Sequence, residues 1–149
     1  FPHIEAGVLL EITRHQFKPS ELRKLDPKYR RRTANPVVKF DAAVGGFTIC
    51  QPSMEECYPS LQSVVAPLTT YFHILTMFAA SSGSLAAVCL VARGAFAYLS
   101  QLAQFNEDYQ WSAVLAYHLE FHYKRRSCMA DGDYSGWDTI DSGLKAKHL

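Results

Sequence analysis

Apolar residues recur at helical spacing along most of this chain. Ile4, Val8, Leu9 and Ile12 fall on one stripe between Phe1 and His15. Ser20, followed by Glu21, Leu22 and Leu25, reads as a capped helix start that Pro27 ends. Beyond a basic run, Asn35-Pro36 breaks the pattern. Val37 to Phe40 and Phe47 to Cys50 are β-prone segments flanking Gly45-Gly46, which predicts a small β-hairpin near residues 37–50. Gln51 to Pro59, with two prolines and two glutamates, reads as a connector.

From Cys57 to Ala92 there is no Asp, Glu, Lys or Arg. Within this stretch Leu61, Val64, Val65, Leu68, Phe72, Leu75 and Ala79 recur at helical spacing, with Ser60 as the N-cap candidate. Pro67 lies inside the pattern, so the helix is either kinked there or begins there. Ser81-Ser82-Gly83-Ser84 makes a turn, and Leu85 to Gln104 continues as a second helix whose first charge is Arg93. A membrane span is set aside, because Gln62, Ser63, Thr69, Thr70, His73 and Thr76 interrupt one helix and Arg93 the other. Two readings of this helical hairpin stay open: a core surrounded by the other helices, or a subunit interface with Leu68, Phe72, Leu75 and Phe78 as its candidates.

The expected fold is mainly α: one helical bundle of about five to six helices with the small hairpin. Residues 1–34 would supply N-terminal helices, 35–59 hairpin and connector, and 60–149 the helical core. A length of 149 residues with 48% hydrophobic and 19% charged residues can bury one such core. The chain opens on Phe1 already in an apolar helical pattern and without a signal-peptide pattern, so it is expected to be excised from a longer polypeptide. Cys50, Cys57, Cys89 and Cys128 lack CxxC spacing and favour free thiols, hence an intracellular location in cytoplasm or nucleus. Net charge is only +1, so any nucleic-acid contact must be local. The candidates are Lys28 with Arg30, Arg31 and Arg32, and Lys124 with Arg125 and Arg126.

Candidate chemistry is sparse. His118 and His122 share a helix face, as metal ligands do, but helical projection puts them inside the apolar stripe of Trp111, Val114, Leu115 and Phe121, with Glu120 opposite. HLEFH is therefore not the HExxH of zinc peptidases. Asp131, Asp133 and Ser135 match the first, third and fifth positions of a calcium loop, with Gly136 at the sixth, yet the twelfth position is Ser142 where a bidentate glutamate belongs. A turn rich in Gly and Asp is the plainer reading. No metal or other cofactor is expected. Phosphate loops, nucleophile elbows and dinucleotide fingerprints are missing from the sequence, and no catalytic residues are nominated.

The C-terminal third carries the most specific pattern. Trp111, Tyr117, Phe121, Trp137, Ile140, Asp141 and Leu144 follow one another across a helix, a loop and a second helix. This order resembles the Trp-x-x-Tyr-Asp-x-x-Phe-Arg and Trp-x-x-Ile-Asp-x-x-Leu-Trp pattern of Gag-like proteins from tyrosine-recombinase retrotransposons of the DIRS type, over about two thirds of the chain. His118 stands where the family usually has Asp, His122 for Arg, and Lys145 where a second Trp is common. The resemblance implies a non-enzymatic, capsid-type structural protein that self-associates and contacts RNA through local basic clusters. Trp111, Tyr117, Phe121, Trp137, Ile140 and Leu144 would then pack the joint between the last two helices. A helical protein-interaction module with a single partner, and a metal-binding protein using the aspartate loop or histidine pair, are the alternatives.

Overall fold

A computed structural model describes residues 1–29, 37–43 and 45–149 of the chain. Arg30, Arg31 and Arg32 lie outside the described residues. The elements run α1 (Ala6–Thr13), a 3-10 helix (Pro19–Leu25), β1 (Val37–Asp41), β2 (Gly46–Cys50), α2 (Met54–Cys57), α3 (Leu61–Ser81), α4 (Leu85–Asp108), α5 (Trp111–Ala130) and α6 (Ser142–His148). The architecture is a mainly helical bundle. At backbone level β1 and β2 run antiparallel, with Val37 opposite Cys50. Two strands alone do not make a stable unit, and no described residue of this ribbon belongs to the buried core. The fold class rests on the helices.

α1 buries Val8 and Ile12 and ends where His15 takes a left-handed conformation, φ 57°. There the Gln16 N–H donates to the Glu11 carbonyl at 2.7 Å and the His15 N–H to that of Ile12 at 3.0 Å. This pair of bonds satisfies the last carbonyls of the helix and turns the chain inward, so that Phe17 is fully buried. The segment expected as a second capped helix is a 3-10 helix that buries Pro19, Leu22 and Leu25. Tyr58 ties it to the connector: its hydroxyl donates to the Ser20 carbonyl at 2.7 Å and accepts from the Arg23 N–H at 2.9 Å. Burial raises the Tyr58 phenol to about 12.

α3 is continuous through Pro67. Its polar interruptions are satisfied locally, since the Thr69 and Thr76 hydroxyls donate back to the Val65 and Phe72 carbonyls at 2.8 Å each. The apolar face of α3 is covered by α1, the 3-10 helix and α4. Leu68, Phe72 and Leu75, candidates for a subunit interface by spacing, are therefore core residues, and Phe78 alone of that set is exposed. α3 and α4 are both long and apolar enough, by length and composition, to cross a bilayer. They differ in cover: 44% of the most apolar window of α3 is buried inside the fold and only 28% of that of α4.

Between α5 and α6 the chain leaves helical structure, and Trp137 drops from this loop into the centre of the bundle, fully buried. Its indole meets the rings of Phe72 at 4.7 Å, Tyr98 and His122 at 5.4 Å and Phe121 at 5.9 Å between centroids. The approach to α4 requires glycine at 94, where an added Cβ would lie 2.6 Å from the Trp137 Cβ. Gly94→Ala is expected to destabilise the fold: overpacking costs about 1–3 kcal/mol, against a helix-propensity gain of up to about 1 kcal/mol. Thermal unfolding followed by circular dichroism tests this, and a melting temperature equal to or above wild type would contradict it.

Candidate functional site

The residues singled out on α5 divide between core and surface. Tyr117 and Phe121 are buried and stacked on one another at 5.5 Å, with Phe121 also stacked on Tyr98 at 4.8 Å. The Tyr117 hydroxyl accepts from the Asp141 N–H at 3.3 Å, while Asp141 Oδ1 caps α6 by accepting from the Leu144 N–H at 3.0 Å. Leu144 packs against the core from its partly buried position. Of the residues expected at the joint between the last helices, Tyr117, Phe121 and Trp137 lie in the core and Leu144 packs against it, while Asp141 links Tyr117 to the start of α6. Trp111 does not belong to that joint: its indole N–H donates to the Tyr58 carbonyl at 2.7 Å and anchors the connector instead. Ile140 is exposed. Three-residue spacing from Trp137 keeps a common face only in a helix, and the segment between Trp137 and Asp141 is a turn.

His118 and His122 sit at the middle of the bundle, fully buried, with ring centroids 5.5 Å apart. His118 Nδ1 shares a hydrogen bond with the Tyr98 hydroxyl at 2.9 Å. His118 Nε2, both nitrogens of His122, the Tyr71 hydroxyl and the Trp137 indole N–H are buried without a hydrogen-bonding protein group. Burial lowers the His118 imidazole to about 3 and holds that of His122 well below its ordinary range, the latter further depressed by His118 and by the Arg126 charge. Imidazoles this shielded and this weakly basic neither donate nor accept protons for an external substrate near neutral pH.

The loop after α5 does not gather ligands. Asp133 Oδ1 accepts from the Ser135 N–H at 2.9 Å and the Ser135 hydroxyl at 2.5 Å, which fixes a turn and lowers the Asp133 carboxyl. Asp131 is exposed, and among the described residues no three His, Cys, Asp or Glu side chains converge as a metal would need. Glycine at 136, φ 92°, lets the Arg125 guanidinium lie against the loop and donate to the Ser135 carbonyl at 3.1 Å.

Lys124, Arg125 and Arg126, expected as a phosphate-contacting cluster, are engaged internally. Lys124 pairs with Asp141, and Arg126 donates to the Gln16 and Phe17 carbonyls at 3.2 and 3.1 Å while lying over the Tyr123 ring. The C-terminal part of α5 faces two loops whose carbonyls and carboxylate require cations, so this cluster tethers structure. Lys28 is exposed. It is the described member of the other basic run.

Sequence reasoning missed the exposed side of α4. Leu85 and Phe96 are 75% and 77% exposed, and Leu90 and the neighbouring Met77 and Phe78 of α3 are also open to solvent. At 100° per residue Leu85, Cys89 and Phe96 share the face opposite Val91, Tyr98, Leu102 and Phe105, which are buried. That projection was available from spacing alone. Beside this face an open groove of about 360 Å³ runs between the α3–α4 turn and the loop after α5, walled by Phe78, Ala86, Ala87 and Leu90.

No protein-family model, curated protein or solved structure matches the chain. The site is therefore read from its geometry.

The histidine pair sets an acid limit on the fold. Because both folded imidazoles are depressed, only the unfolded chain takes up these protons below its ordinary value near 6.5. Stability is thus present above pH 6.5 and lost as pH falls below it, His118 contributing to the loss down to about pH 3 and His122 acting in the same direction. Urea unfolding at pH 7, 6 and 5 is expected to show this loss, and His122→Phe to make it shallower. Equal stability of wild type at pH 7 and 5 would contradict the assignment.

Proposed function

We propose that this chain is a non-enzymatic structural protein that self-associates, of the capsid type implied by its resemblance to the Gag-like proteins of DIRS-type retrotransposons. The observation that carries the reading is the uncovered apolar face of α4, with Leu85, Leu90 and Phe96 presented to solvent on a helix whose other side is fixed in the core. Large apolar side chains left exposed along one poorly covered helix point to a contact surface. The interface moves accordingly from Leu68, Phe72 and Leu75 to α4, with Phe78 at its edge.

RNA contact falls to Lys28 and, next to it in sequence, Arg30, Arg31 and Arg32, because Lys124, Arg125 and Arg126 already have partners within the fold. Contacts of this kind bind phosphate without reading bases. The reading also places the protein in the cytoplasm or nucleus, consistent with free thiols at Cys57, Cys89 and Cys128. It needs neither a cofactor nor a membrane, the α4 face being covered by protein.

Light scattering behind size exclusion, over a wide protein concentration range with and without single-stranded RNA, tests both parts. Mass is expected to rise with concentration, and the RNA response to weaken on raising salt and on replacing Lys28, Arg30, Arg31 and Arg32 by alanine. A strict monomer at every concentration, indifferent to RNA, would overturn the reading and leave the α4 face to a single different partner.

A further inference from the structure

We propose that Phe96 of one copy enters the groove beside Leu90 of a second copy, a pairing that rests on the self-association reading and gives it a specific contact. Phe96 is the most exposed large apolar residue among those described, at 77%. The groove is walled by Phe78, Ala86, Ala87 and Leu90, whose small alanines leave room for a ring, and Asp133 and Tyr134 close its far side. Leu90 lies six residues before Phe96, about 9 Å along the helix and about a third of a turn around it. A copy therefore cannot fill its own groove with its own Phe96.

Charge agrees with the apolar fit. Arg93, one turn before Phe96 and with a largely exposed side chain, is the first charge after a stretch without any, and Asp133 is the one charged residue lining the groove. Entry of Phe96 would carry a cation toward a carboxylate. Arg93 is held only loosely within its own chain, 3.6 Å from Asp138, and Asp133 uses one carboxylate oxygen on Ser135. Complementary charge at the rim selects the pairing and its orientation more than it adds affinity.

The test uses two variants of the whole chain, Phe96→Glu to disable the ring and Ala86→Trp to fill the groove. Both positions are exposed, and circular dichroism melts confirm that each variant folds. Sedimentation velocity is expected to show each variant alone with a self-association constant weakened at least ~tenfold, the scale of a central aromatic anchor. An equimolar mixture is expected to regain association, because the Phe96→Glu chain keeps a groove and the Ala86→Trp chain keeps a ring. Wild type that associates while Phe96→Glu associates as tightly, or a mixture that stays monomeric, would overturn this pairing and leave self-association standing. A monomeric wild type would overturn both.

Discussion

The indole of Trp137 has room at the centre of the bundle only because residue 94 has no side chain, and much of the structure is arranged around that contact. α3 brings Tyr71 and Phe72 to the indole, α4 brings Tyr98, and α5 brings Phe121 and His122. A ring reaching the middle from a loop needs that loop to turn sharply on both sides. Glycines at 132 and 136, both at positive φ, supply the turns that lead into the ring, and the bend from Trp137 to Thr139 turns the chain out again toward α6. Arg125 then braces the loop through the Ser135 carbonyl, and Asp141 fixes the start of α6 while pairing with Lys124. Lys124 and Arg125 are committed by the same geometry that buries the tryptophan.

That arrangement also fixes the character of the core. Rings of tyrosine, histidine and tryptophan fill it, and several of their polar atoms are left without protein partners, each at a cost of about 1–3 kcal/mol relative to a bonded group. The bundle tolerates this because α3 and the N-terminal elements bury long runs of purely aliphatic surface around the rings, from Ile12 and Leu22 to Leu68 and Leu75. Burial likewise holds the two imidazoles toward their neutral form, and among the described residues no carboxylate bonds to either.

Periodicity made most of the helices legible. Spacing located α1, α3, α4 and α5, and the Ser81 to Ser84 turn falls where the sequence predicts it, with the Ser84 side chain capping α4. The helical projection also placed His118 and His122 in the apolar stripe, where they lie. Spacing failed where structure is not helical: Ile140 keeps a helical interval from Trp137 across a turn, and the segment after Ser20 is a 3-10 helix. It failed differently for Leu68, Phe72 and Leu75, because one helix's apolar stripe looks alike whether a neighbour in the same chain or another chain covers it. Only the placement of α1 and the 3-10 helix on α3 decides that. The basic run Lys124 to Arg126 misled for a related reason, since the carbonyls of Gln16, Phe17 and Ser135 that engage its arginines are distant in sequence or lie in an irregular loop.

The stretch without charges from Cys57 to Ala92 thus divides into two physically different parts. A charge buried in α3 would have to be desolvated without a partner, which costs more than the fold can spare. The same argument does not reach the first turns of α4, where Leu85, Ala86, Cys89 and Leu90 face solvent and any charge would be hydrated. Folding alone gives no reason to keep that half of the stretch uncharged and apolar. An exposed helical face with aliphatic residues, an aromatic ring and one arginine is instead what a protein contact requires, since apolar groups supply the driving force and a single charge restricts the partner. The proposed contact therefore falls on the poorly covered side of α4, and the buried aromatic centre holds that helix in place through Tyr98 and Gly94.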